Sequence, residues 1–162
     1  MSATYQRGEP RQVMVPVASA KAVAQGDLVG VSSGTLVKAS DTTWDTNLAT
    51  TQPAFALLFA GVAMQDKDAD ENVFGHGGTL VLKLRVATGG VFRFACSAGT
   101  YTVGQYVGPA KQSGDLLENQ TLAGVASEGL AIGKVVGGEG VNPGYIDVEI
   151  LSRAFRAAPS IT

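Results

Sequence analysis

"GTYTVGQYVGP" runs from Gly99 to Pro109, and "KAVAQGDLVGV" runs from Lys21 to Val31. Both contain Gly-x-x-Val-Gly, at Gly26 to Gly30 and at Gly104 to Gly108, and neither carries a group suited to catalysis. The chain goes on in the same order after each. The first phrase leads to "GTLV" (Gly34 to Val37) and "AGVAMQ" (Ala60 to Gln65), the second to "GDLL" (Gly114 to Leu117) and "AGVASE" (Ala123 to Glu128). Each unit reads as a glycine at a tight or bulged backbone position, a strand, a second glycine turn and a return strand. Chance repetition in a glycine-rich β chain is the alternative; a duplicated hairpin unit building a small pseudo-symmetric barrel is the expectation. Gly26, Gly30, Gly104 and Gly108 are thereby assigned to backbone geometry rather than to ligand binding.

The segments around the repeat alternate with period two, as half-buried strands do. In "TLVLKLRVA" (Thr79 to Ala87), Leu80, Leu82, Leu84 and Val86 share one face, and Val81, Lys83 and Arg85 the other. "VFRFA" (Val91 to Ala95) follows Gly89 and Gly90, which predicts a hairpin of the two. "YIDVEIL" (Tyr145 to Leu151) turns Ile146, Val148 and Ile150 inward, after a turn at Asn142 to Gly144. Shorter strands are expected within Leu57 to Met64, Leu122 to Ser127 and Leu130 to Val136, with no more than a helical turn at Ala54 to Phe59. Pro16 in "QVMVPV" (Gln12 to Val17) lacks an amide donor, which suits a sheet edge or an arm.

The organisation expected is an extended N-terminal arm at 1–17, one all-β domain of short antiparallel strands at 18–152, and a tail at 153–162. The Thr- and Asp-rich "ASDTTWDTNLATTQP" (Ala39 to Pro53) reads as an insertion loop. Removing Met1 to Pro16 is expected to leave a folded protein.

At 162 residues the chain suits a single domain, and its charged fraction of only 16% argues against disorder and for some apolar surface covered by another chain. A net charge of −2 argues against direct nucleic-acid binding, for which Phe92 and Phe94 beside Arg93 are the only hint. The longest apolar run, Ala54 to Met64, is too short to span a bilayer.

No enzyme activity, cofactor or metal site is expected. His76 is the only histidine and Cys96 the only cysteine, which excludes a zinc cluster by ligand count. Cys96 has no obvious base partner and reads as an inert thiol. "DKDADEN" (Asp66 to Asn72) has the alternating aspartates of a calcium loop, but Glu71 and Gly77 stand where glycine and glutamate are needed. Asp147 and Glu149 share a strand face that reads as solvated, while Tyr101 and Tyr106 are open between core and interface.

Three segments together resemble the capsid decoration, or cement, proteins of tailed bacteriophages. They are "RVATGGVFRFACSAGTYTVGQYVGPA" (Arg85 to Ala110), "LAGVASEGLAIGKVV" (Leu122 to Val136) and "GYIDVEIL" (Gly144 to Leu151). The resemblance implies a small β-barrel or β-tulip domain with an extended N-terminal arm. It implies a structural virion protein on the outer surface of the mature head, assembled in the host cytoplasm, commonly as a homotrimer. There it would bridge subunits of the major capsid protein and stabilise the shell. The implied docking arm carries Tyr5, Val13 and Val15 as apolar contacts, with Arg7 and Arg11 toward an acidic surface. A tail, baseplate or receptor-binding module is the alternative, and a small ligand-binding β-domain a further one.

Overall fold

A computed structural model of the chain describes residues 3–7, 11–69 and 82–155. Thr79 to Val81, Asp70 to Asn72 and His76 lie outside the described residues. Two units follow one another, and each lays its strands side by side in the same order.

The first unit contains β2 (Gln12–Pro16), β3 (Leu28–Ser32), β4 (Thr35–Lys38), α1 (Leu48–Leu58), β5 (Phe59–Ala63) and β6 (Lys83–Ala87). Its sheet runs β2-β6-β5-β3-β4. In the second unit come β7 (Val91–Cys96), the two-residue β8 (Thr100–Tyr101), β9 (Tyr106–Gln112), β10 (Leu116–Gly124), β11 (Gly133–Gly137), the two-residue β12 (Gly140–Val141) and β13 (Tyr145–Ile150). Its main pairings run β7-β13-β11-β9-β10, and β12 pairs with β8 separately. Thus β7, β9, β10, β11 and β13 repeat β2, β3, β4, β5 and β6. The second circuit returns to its start, because β10 also pairs in parallel with β7 through Thr121 and Leu122 against Ala95 and Cys96. Among the described residues the first sheet stays open. These are small antiparallel β units, as expected, and β1 (Thr4–Arg7) adds an antiparallel strand to β7.

The equivalence extends to single bonds. The N–H of Gly26 donates to the Ala63 carbonyl at 2.8 Å, and that of Gly104 to Val135 at 2.8 Å. In return the N–H of Ala63 donates to the Asp27 carbonyl, and that of Val135 to Gln105, both at 2.9 Å. Gly26 and Gly104 adopt φ of 95° and 90°, the left-handed region that favours glycine. A Cβ on Gly30 would lie 2.7 Å from the Leu58 carbonyl, and one on Gly108 would lie 2.6 Å from that of Leu130. The glycines of the repeated phrase therefore serve turn geometry and close backbone approach.

One landmark of the repeat is corrected. The counterpart of "AGVA" in β5 is not Ala123 to Ala126 but Ile132 to Val135, at the start of β11. Gly61 and Gly133 establish it: a Cβ there would meet the Ala87 carbonyl at 1.8 Å and the Glu149 carbonyl at 2.4 Å.

The hairpin expected of β6 and β7 does not form. β6 lies between β2 and β5, β7 pairs with β1, β10 and β13, and Thr88 to Gly90 carries the chain from one unit to the other. Nor is 39–53 a loop throughout. Ala39–Asp41 forms a 3-10 turn and Leu48 opens α1, whose Asn47 side chain accepts from the Thr50 N–H while the Thr50 hydroxyl accepts from the Asn47 N–H. That helix turns Thr51, Gln52, Phe55 and Ala56 inward. Gln52 Nε2 donates to the Pro109 carbonyl at 2.8 Å, tying α1 to β9.

The N-terminal segment, expected as an extended arm, runs along both units. Its two strands sit on different units, and Val15, 1% exposed, belongs to a core cluster with Val29, Leu36, Leu84 and Val86 inside the first sheet. A larger cluster is shared by the units and joins Phe55 and Phe59 to Phe92, Phe94, Leu122 and Ile146.

Candidate functional site

The five residues assigned to a docking arm separate into three environments. Tyr5 is 39% exposed on β1, its ring edge-on to that of Phe92 with centroids 5.7 Å apart, and Arg7 beside it is exposed. Arg11 is exposed at the start of β2 and borders a cleft of about 220 Å³ with Tyr106, Glu128, Ile150, Arg153 and Phe155. Val13 is half-buried against the first unit's core, and Val15 lies within it. Tyr5, Arg7 and Arg11 are thus presented outward, while Val15 has no surface to offer a partner.

The outer edge of β2 is the feature that sequence reasoning missed. Thr88 N–H donates to the Arg11 carbonyl at 2.7 Å, and Val17 N–H donates to the Leu82 carbonyl at 2.8 Å. Bonding alternates along an antiparallel ladder, so Val13 and Val15 also turn their backbone groups to β6. Gln12, Met14 and Pro16 turn theirs away, and among the described residues no strand pairs with that side. Pro16 sits where its missing donor costs no ladder bond, as its edge position predicts.

Met14, 52% exposed, stands across from Arg85, and Pro16 from Lys83. Both basic side chains are exposed, and neither forms an ion pair among the described residues. The signal was present in the proline position and in the outward Lys83 and Arg85, but without the strand order it could not be assembled.

Other candidate groups have structural partners. Phe92 and Phe94 are 1% and 0% exposed, and Arg93 donates from Nε to Asp147 Oδ1 at 2.9 Å, so these three form no stacking platform for bases. Asp147 is therefore paired rather than simply solvated. Tyr101, 3% exposed, donates its hydroxyl proton to the Ser97 carbonyl at 2.9 Å, which places it in the core. Tyr106 lies under the Lys134 ammonium, 5.0 Å from its ring centre. Asp66 Oδ1 accepts from the Gln25 N–H at 2.7 Å. Burial pushes the Cys96 thiol above its ordinary range, against hydrogen bonds with Tyr101 and Gly144 that lower it.

Among the described residues there is no cluster of three or more potential metal-ligating side chains, and no helix long and apolar enough to cross a membrane. No protein-family model, curated protein or solved structure matches the chain.

Proposed function

We propose that the protein is a structural virion component that binds the outside of a mature icosahedral phage head as a homotrimer and stabilises it by bridging major capsid protein subunits. The observation that carries the reading is the surface built by the N-terminal segment. Its two edge strands present Tyr5, Arg7, Arg11 and Met14 outward while anchoring to both units. Such an edge offers backbone bonds and side chains to a partner without rearranging the core. Display on a trimer multiplies weak individual contacts, because the second and third bind at raised effective concentration.

The test is co-sedimentation of the purified protein with expanded heads that lack a decoration protein. Saturable binding at fixed stoichiometry per capsomer supports the reading, and protein that stays in the supernatant overturns it.

A further inference from the structure

The two units close the same link differently, and the longer link leaves an uncharged helix face exposed. Between β10 and β11 the chain needs only residues 125–132, with a 3-10 turn at Glu128–Leu130. Between β4 and β5 it takes residues 39–58 and builds α1. The circuit of strands can therefore be completed without a helix. The inward face of α1 is occupied by Phe55, Ala56 and the Gln52 bond to Pro109. Its outward face lacks the charged groups of a solvated one.

α1 contains no charged residue, and Thr50, Ala54 and Leu57 are exposed on it in a single stripe at spacing i, i+4, i+7. A helix on a domain surface ordinarily turns charged side chains to water, whereas one that is apolar on both faces is covered on both. Leu57 is 68% exposed, and a hollow lies close to it. Val37, Ala54 and Leu58, with Thr42 and Thr43, line a cavity of about 290 Å³. Among the described residues, Asp41 is the one charged group on its wall, and it is paired with Lys21. At about 100° per residue, Leu57 stands about 60° to one side of Ala54 and Leu58 about 40° to the other. The stripe thus carries an apolar knob on one flank and a hollow on the opposite flank, with a small alanine between them that lets two helices approach closely.

We propose that this face of α1 packs against α1 of a second copy of the chain, with Leu57 of each copy entering the hollow beside Leu58 of the next, around an axis that runs along the helices. Self-complementarity selects the occupant. Knob and hollow lie on one surface, so a second copy supplies both halves of the contact, and an uncharged stripe meets its own image without like-charge repulsion. Placement on opposite flanks makes the contact head-to-tail, and such a contact forms a ring when the rotation closes. For the number of copies, three, the inference rests on the reading above; the contact itself does not involve the head.

Sedimentation velocity of wild-type protein, Leu57→Arg and Leu57→Met over a wide concentration range tests this, together with isotope-filtered methyl spectra of wild-type protein assembled from differently labelled chains. Leu57→Arg places a charge in an apolar contact, whereas Leu57→Met keeps the bulk. Expected are half-assembly of Leu57→Arg at about a hundredfold higher concentration than wild type, and near-wild-type assembly of Leu57→Met. Circular dichroism should be unchanged in both, because Leu57 is exposed in the single chain. In the wild type, the Leu57 methyls should contact the Val37 and Leu58 methyls of another copy.

Wild-type protein that stays monomeric overturns this inference, and its co-sedimentation with heads decides capsid binding separately. Oligomers that lack those methyl contacts overturn it even if Leu57→Arg fails to fold, and so does Leu57→Arg that assembles like wild type. If that variant assembles but no longer binds heads, the capsid is the occupant and the inference is likewise overturned. Protein that assembles with these contacts and ignores heads overturns the capsid reading and supports this one.

Discussion

Among the described residues, Lys67 buries a positive charge with no carboxylate paired to it. Its side chain is 3% exposed, and Nζ donates to the carbonyls of Ser19 and Lys21 at 2.7 Å and of Asp68 at 3.0 Å. Those bonds use all the ammonium protons and hold the segment after β2 against the end of the β5 return. Lys67→Met leaves the carbonyls without this donor and is expected to cost roughly 2–3 kcal/mol in urea unfolding, against nearly nothing for the exposed Lys83→Met. Equal midpoints for the two variants would show that water replaces the ammonium at no cost. Asp41 gives the acid limb of stability a definite sign. Burial works to raise its carboxyl, but hydrogen bonds from the Lys21 side chain and the Lys38 N–H, with the nearby charges, hold it below the ordinary 3.8. A depressed folded value means that its contribution is complete above the unfolded value and disappears as pH falls through the folded one. Asp41→Asn should therefore lower stability at pH 7 and converge with wild type at low pH, by a small amount because solvent screens the pair. A difference that grew as pH fell would reverse the assignment.

At the level of elements, the paired glycines make the two units experimentally comparable. Alanine at Gly61 or Gly133 drives a methyl into a carbonyl of the neighbouring strand, at 1.8 Å or 2.4 Å, so both strands must part. Each substitution is expected to cost more than about 2 kcal/mol. Gly104→Ala meets only the strain of its φ of 90°, with open space around it, and should cost about 1 kcal/mol. Thermal melting of the three variants checks the ranking, and a Gly104→Ala penalty equal to the others would contradict it. Strands β7 and β13, and the described part of β6, were legible because alternation of apolar and polar residues reports a half-buried strand directly. Which sheet each strand joins was not legible: Gly89 and Gly90 suit a hairpin and a crossing between units equally well. The false match of Ala123 to Ala126 came from identical letters, while the informative signal was Leu-x-x-Gly, at Leu58 to Gly61 and Leu130 to Gly133, whose glycines sit under a neighbouring carbonyl. α1 was hidden by its Thr-rich first turns, although Asn47 and Thr50 already had the spacing of a reciprocal cap. Of the docking residues, the outward Tyr5, Arg7 and Arg11 suited their polar neighbourhood, but the burial of Val15 depends on β6 and was invisible in a five-residue alternation.

For the whole molecule, the N-terminal segment and β10 join the two units alongside the shared core cluster and the bond from Gln52 to Pro109. Asn119 Oδ1 accepts from the Ser40 N–H at 2.9 Å and Gln120 Nε2 donates to Asp27 Oδ1 at 2.8 Å, so β10 grips the first unit while closing the second. β1 lies on the second unit and β2 in the first, so truncation at two points separates their roles. Removing residues 1–7 takes away one edge strand and the Tyr5 contact with Phe92, and leaves both large clusters with their central side chains. Removing residues 1–16 also takes β2 from its ladder with β6 and Val15 from the core, where a buried valine alone contributes roughly 1.5–3 kcal/mol. That loss is a large share of the roughly 5–15 kcal/mol by which a domain is stable. The shorter truncation is therefore expected to melt in one cooperative transition a few degrees below the full chain. The longer one should lose the cooperative unfolding of the first unit, with fast amide exchange in β3, β5 and β6 while β9, β11 and β13 stay protected. If the longer truncation instead melts like the full chain, β2 is the detachable arm the sequence suggested, and its place in the core contributes little to holding the fold together.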